Sequence, residues 1–173
     1  MNFSPEASIE ILENTPGVLI ALLQNVSAEW VSNNEGGDTW TVYDIIGHLI
    51  HGEKTDWIPR MEMILSDKPE KTFEPFDRFA QFEASKGKSL ATLLAEFKKL
   101  RQENIECLRS KKLTTSDLEL TGIHPAFGEV TLSQLLSTWT VHDLNHIAQI
   151  SRVMAKQYKT EVGPWVAYLG ILK

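Results

Sequence analysis

The sequence predicts an all-α fold, a four-helix bundle with a long crossover connection. Three observations carry that prediction. Apolar residues recur at helical spacing in four separate stretches, capping signals open three of them, and no segment shows the sustained alternation of a strand hairpin. Any β structure is expected to be minor. At 173 residues, 42% of them hydrophobic, the chain reads as a single domain over residues 1–173 with one substantial core.

The first helix is expected over Pro5 to about Asn25, with Ile9, Leu12, Leu19, Leu22 and Leu23 on its apolar side. Thr15-Pro16-Gly17 should break it, because Thr15 can cap a new turn that Pro16 starts. Asn33 to Asp38, with Gly36-Gly37, is a loop by composition. A second helix should begin at Thr41, whose hydroxyl precedes the first-turn carboxylate of Asp44, and run to about Leu65. Pro59 should kink it or end its first half.

Ser66 to Lys88 has prolines and aromatics at Phe73, Phe76, Phe79 and Phe82 without a sustained period, so it is the expected irregular crossover. Ser89 caps a third helix, with Leu90, Leu93, Leu94, Phe97, Leu100, Ile105 and Leu108 near a 3.6-residue period. A loop follows through Gly122, His124-Pro125 and Gly128. Thr131-Leu132-Ser133-Gln134 is a capping box for a last helix reaching about Gln157. The apolar tail, Val162 to Lys173, should pack back on the body.

Composition excludes several function classes. Seventeen Lys and Arg against twenty-three Asp and Glu give a net charge of −6, the wrong sign for binding nucleic acid through its phosphates. Lys98-Lys99 and Lys111-Lys112 are interleaved with Glu96, Glu103 and Glu106, so they form a solvated face. No apolar run approaches the roughly 20 residues of a membrane span, and Met1 to Glu6 lack a basic signal-peptide start, so a cytoplasmic location is expected. The single cysteine, Cys107, excludes an internal disulfide and is expected to be buried on the third helix stripe.

Five histidines carry the chemical interest, at 48, 51, 124, 142 and 146. In the last helix the apolar stripe runs through Leu135 and Trp139 to Ile150 and Val153, and His142 and His146 fill its gap. They stand on successive turns roughly 6 Å apart, a geometry in which two imidazoles can share one metal ion. The stretch His142-Asp143-Leu144-Asn145-His146 lacks the glutamate after the first histidine that a zincin uses as general base. A third ligand is available from the second helix, where His48 follows Ile45 and precedes Leu49. His51 lies on the flank and His124 in the loop, at a pocket rim. Glu53, Asp44 and Asp143 are candidates to orient the imidazoles, or else cap and surface carboxylates.

Trp40-Thr41-Val42, Gly47-His48-Leu49, His124-Pro125-Ala126-Phe127-Gly128, Thr131-Leu132, Trp139, His142-Asp143 and His146-Ile147-Ala148-Gln149-Ile150 resemble the DinB-like (damage-inducible, YfiT-like) superfamily. The resemblance covers most of the chain, including Gly163-Pro164-Trp165 near its end. It implies a four-helix bundle with a long crossover and a three-histidine divalent-metal site, matched here by His48, His142 and His146. It also implies nickel or zinc as the metal, with water in the remaining positions. Family members include thiol-dependent S-transferases, a thiol-dependent isomerase and proteins described as metal-dependent hydrolases. The family name reflects DNA-damage induction, and dimers are common in it. The crossover aromatics would offer a contact surface for a homodimer.

A thiol at such a centre would become a better nucleophile, and a water a better hydroxide source. The expected function is therefore metal-dependent S-transfer or hydrolysis of a small molecule, with a non-catalytic metal- or ligand-binding bundle as the alternative. No general base is assigned. Any thiol used would come from a low-molecular-weight cosubstrate.

Overall fold

A computed structural model describes residues 3–173 and is predominantly helical; the first two residues of the Met1 to Glu6 start lie outside it. Helix α1, Pro5–Leu23, opens on Ser4, whose hydroxyl accepts from the Ala7 amide at 3.1 Å. The expected break is absent, and α1 is continuous through Pro16. Thr15 caps no new turn; its hydroxyl donates back to the Ile11 carbonyl at 3.1 Å. Pro16 leaves the Leu12 carbonyl without its helical donor, and Arg101 supplies one at 2.8 Å.

A short helix α2, Ala28–Ser32, precedes the Gly36-Gly37 loop. Helix α3, Val42–Thr55, carries the expected cap as a full capping box of Thr41 and Asp44. The chain then breaks at Asp56, ahead of Pro59, and resumes as α4, Trp57–Leu65. Pro59 is third in α4, where a missing amide hydrogen costs no internal bond. The crossover is more ordered than its composition suggests. It holds helix α5, Ala80–Ser85, and pairs Thr72 with Ile123.

Helix α6, Leu90–Ser110, is capped by Ser89, and a four-residue helix α7, Thr115–Leu118, follows. Strands β1, Thr121–His124, and β2, Gly128–Thr131, form an antiparallel hairpin in register from Thr121↔Thr131 to His124↔Gly128. Four residues each are too few for alternation to show in the sequence. The last long helix, α8, spans Leu132–Lys156 behind the Thr131/Gln134 capping box.

Helices α1 and α3 each pack on both α6 and α8, with α4 continuing along α8. Around the bundle the order is therefore α1, α6, α3, α8, so α1 and α3 are not adjacent and the connections must cross. The core has two apolar parts. One gathers Leu12, Met61, Ile64, Leu136 and Trp139; the other gathers Leu19, Ile45, Ile46, Phe97 and Ile150. Between them lies a polar layer, and the histidines of α3 and α8 sit at its level.

Two sequence expectations are corrected here. The tail does not pack back as a whole: Leu172 is buried beside α8, whereas Trp165, Tyr168 and Ile171 are exposed. Two short 3-10 turns, Gly163–Ala167 and Gly170–Leu172, are too brief to present one apolar face. Cys107 is half-buried, at the rim of the α6 stripe with its sulfur 3.9 Å from the Glu62 carboxylate. Of the crossover aromatics, Phe73 is buried and Phe79 and Phe82 are exposed. No helix among the described residues is long and apolar enough to cross a membrane.

Candidate metal centre

Three histidines expected to converge do so. His48 projects from α3, and His142 and His146 project from successive turns of α8. The Nε2 atom of His142 lies 3.0 Å from that of His48 and 3.1 Å from that of His146. His48 and His146 are buried, and His142 is half-buried. One nitrogen from each ring falls within 4.8 Å of the others.

The donor set fits a divalent ion. A metal bound at about 2.0–2.1 Å from each imidazole nitrogen holds neighbouring nitrogens about 2.9–3.4 Å apart, and the contacts of His142 with His48 and with His146 have that spacing. Buried Nδ1 atoms of His48 and His142 have no hydrogen-bond partner, so hydrogen bonding alone does not account for the cluster. Nδ1 of His146 lies 2.8 Å from the Gln149 side-chain oxygen, to which it must donate. That leaves Nε2 of His146 as a lone pair facing the other two rings.

Electrostatics keep the rings neutral. Burial, then the neighbouring His146 and His51, hold His48 down to about 3. Burial followed by His146 and His48 holds His142 down to about 2. Burial lowers His146 as well, against the opposing Gln149 bond and the Asp143 charge. Neutral imidazole is the form that ligates metals.

Beneath the cluster Arg101 is fully buried between two carboxylates. It donates to both oxygens of Glu53 at 3.1 and 2.8 Å, and to Oδ1 of Asp143 at 3.0 Å. Burial by itself would lower the Arg101 pKa; Glu53 and Asp143 outweigh it and raise it. Glu53 also accepts from the Trp139 indole at 3.1 Å and the Asn104 amide at 3.0 Å. Two carboxylates around one guanidinium leave one formal negative charge below the histidines, which favours a cation above.

None of the three carboxylates considered from sequence orients an imidazole. Asp44 belongs to the α3 capping box, and Glu53 and Asp143 are spent on Arg101. Gln149 does hold a ring, a role that sequence reasoning missed. Arg101 was missed too. Its position in the run Phe97, Arg101, Ile105, four residues apart on an apolar stripe, was the available signal. His51 is half-buried outside the cluster, 4.8 Å from the Phe76 ring. His124 ends β1 with its ring stacked on Phe127 at 4.4 Å.

Two openings reach the histidines. An apolar pocket of about 270 Å³, walled by Trp57, Phe73, Phe76 and Phe127, touches His48 and His142. A polar cleft of about 450 Å³, lined by Trp40, Asn145, Gln149 and Arg152, touches His146. A further cavity of about 470 Å³ lies between α1 and α6, lined by Arg101 and by charged side chains such as Glu13, Lys98 and Arg109, with no histidine in its wall. The three histidines line the first two, which makes those the candidate site.

The family model described as the DinB superfamily matches residues 11–150. Proteins of Bacillus cereus (strain 03BB102) and Bacillus thuringiensis subsp. konkukian, each named "putative metal-dependent hydrolase", are 24% identical to this chain over 145 residues. Those residues span 83% of this chain and 81% of theirs. The solved structure of YfiT from Bacillus subtilis is similar with a TM-score of 0.74 at 22% identity, covering 88% of this chain and 86% of that one. It is described as a probable metal-dependent hydrolase with an unusual four-helix bundle topology. At that identity the likeness speaks for the fold.

Proposed function

We propose that this chain, which belongs to the DinB superfamily, holds one divalent metal ion on His48, His142 and His146 and hydrolyses a small molecule with it. The convergence of three Nε2 atoms, two contacts of 3.0 and 3.1 Å, carries the reading. Nickel and zinc both suit an all-imidazole donor set. A bound ion of this kind supplies Lewis-acid chemistry, lowering the pKa of a water or thiol in the site.

The chain's own residues do the rest. Gln149 keeps the proton of His146 on Nδ1, so that Nε2 stays free. Trp40 and Phe76 pack on the His48 ring at 4.8 and 5.4 Å, and Trp57 packs on His142 at 5.1 Å. These aromatic walls fix the rings and exclude water from the apolar side. The buried Glu53–Arg101–Asp143 layer sets the spacing of α3 against α8.

A second reading is transfer of a low-molecular-weight thiol to an apolar electrophile. The observation that favours it is the pair of openings, one apolar and one polar, onto the same three histidines. A homodimer is part of the proposal, with exposed Phe79 and Phe82, stacked 6.3 Å apart, as its contact. A monomeric mass in sedimentation would remove that part.

The test is metal analysis of untagged protein. About one equivalent of metal is expected, and nickel or zinc added to stripped protein should raise its Tm. Far less than one equivalent together with no rise would overturn the proposal. Metal-dependent conjugation of a cellular thiol to monochlorobimane would favour transfer over hydrolysis; equal rates without metal would exclude it.

A further inference from the structure

The polar cleft beside His146 is built from three parts of the chain. The loop before α3 supplies Glu35 and Trp40, the crossover supplies Arg78, and α8 supplies Asn145, Gln149 and Arg152. Residues 145, 149 and 152 stand at helical spacing, so one side of α8 forms the wall beside His146.

Several polar groups of this cleft are already taken. Arg152 donates to the two oxygens of Glu35 at 2.8 and 3.0 Å, and Lys156 pairs with the same carboxylate at 2.8 Å. The Gln149 oxygen accepts from His146, which leaves the Gln149 amide N–H groups free. Arg78 is different. Among the described residues it has neither an ion pair nor a hydrogen bond, although it lines the same cleft. Burial chiefly keeps His48 neutral, and Arg78 is among the charges that add to it, so the guanidinium stands near the histidines. Asp38 lines the cleft as well, but in the exposed turn before Trp40, and it is not among the charges that act on His48 or His146. Near His146 the cleft therefore offers a ligand mainly donors.

We propose that the molecule entering from the polar side carries a carboxylate, which Arg78 binds while the Asn145 and Gln149 amides supply further hydrogen bonds. This deepens the metal-centre reading and rests on the histidines being the reactive end. A guanidinium presents parallel N–H groups that match the two oxygens of a carboxylate. A phosphate dianion calls for a second free cation, and Arg152 and Lys156 are already held by Glu35. A chain of net charge −6 repels anions at long range, so a local unpaired cation is what admits one to the cleft.

The test is proton–nitrogen correlation NMR of metal-free protein, in which no ion can ligate the probe, titrated with butanoate, butan-1-ol, butylammonium and inorganic phosphate. Butanoate should bind about fivefold more tightly than butan-1-ol, the upper margin of an exposed ion pair. It should shift the signals of the Trp40 indole and of the Asn145 and Gln149 side-chain amides. Raising NaCl to about 0.5 M should shrink the margin. Arg78→Gln should abolish it and Arg78→Lys should keep part of it; Arg78 is exposed, so neither substitution disturbs the core. Equal binding of butanoate and butan-1-ol, tighter binding of butylammonium or phosphate, or an unchanged margin in Arg78→Gln would overturn the proposal. Metal titration keeps the two readings apart, since Arg78→Gln should bind nickel or zinc as the parent does. A missing margin with metal binding intact sinks only this inference, and the reverse pattern sinks only the metal.

Discussion

Arg101 donates a 2.8 Å hydrogen bond to the main-chain carbonyl of Leu12, the carbonyl that Pro16 cannot bond four residues later in the same helix. A proline inside a helix ordinarily leaves that oxygen stranded. Here the stranded oxygen is what lets a guanidinium from α6 enter the core, where Glu53 and Asp143 hold it from α3 and α8. Four helices meet at one side chain. Arg101→Met should leave two carboxylates buried without a cation and cost about 3–5 kcal/mol. For a chain of this size that lowers Tm by roughly 6–20 °C, and an unchanged Tm in thermal denaturation would show that the layer is dispensable.

Gly47, directly before His48, is where the crossover touches α3. A Cβ there would lie 2.5 Å from Oγ of Ser85 and 3.4 Å from Cβ of Gln81. Gly47→Ala should therefore destabilise by about 1–3 kcal/mol through overpacking. Adding Ser85→Ala, which removes the closest atom, should recover part of that loss. A double-mutant cycle with no coupling would mean that α5 does not rest on this position.

The metal-free protein should lose stability as pH falls from about 7 to 4. His48 and His142 are held at about 3 and about 2 in the fold, against about 6.5 unfolded. Across that window the unfolded chain binds more protons, so lowering pH favours unfolding. Asp56, raised by burial from 3.8 to about 6 against the pull of Arg60, works in the opposite direction between those values. His142→Gln should flatten the pH dependence of the unfolding free energy, measured by denaturant titration. A variant as steep as the parent would place the effect on other groups.

Metal affinity should separate the histidines. His146→Ala should abolish the Tm rise given by nickel or zinc, and His51→Ala, outside the cluster, should keep it. Gln149→Ala, which frees the His146 proton, should weaken binding by about 10–100-fold. Titration of the three variants checks this ranking, and a His51 variant as deficient as the His146 variant would redraw the site.

The bundle class was legible because burial repeats with the helical period. Capping residues Thr41, Ser89 and Thr131 stand directly before α3, α6 and α8, since cap chemistry is local. The histidine triad was legible for the same reason: His142 and His146 interrupt one apolar stripe, and His48 interrupts another. What failed was local reasoning about residues whose partners are distant. Pro16 read as a break because its compensating donor is 85 positions away. The half-buried state of Cys107 depends on where its stripe meets solvent.

By itself, then, the sequence determined the helices, their apolar faces and which imidazoles could meet, because period and capping act within a few residues. Only the tertiary structure decided that Glu53 and Asp143 serve Arg101 and leave the histidines alone, that Gln149 holds His146, and that Asp56 pairs with Arg60. Those outcomes are choices among hydrogen-bond partners, and a buried polar group takes the partner that packing brings within about 3 Å.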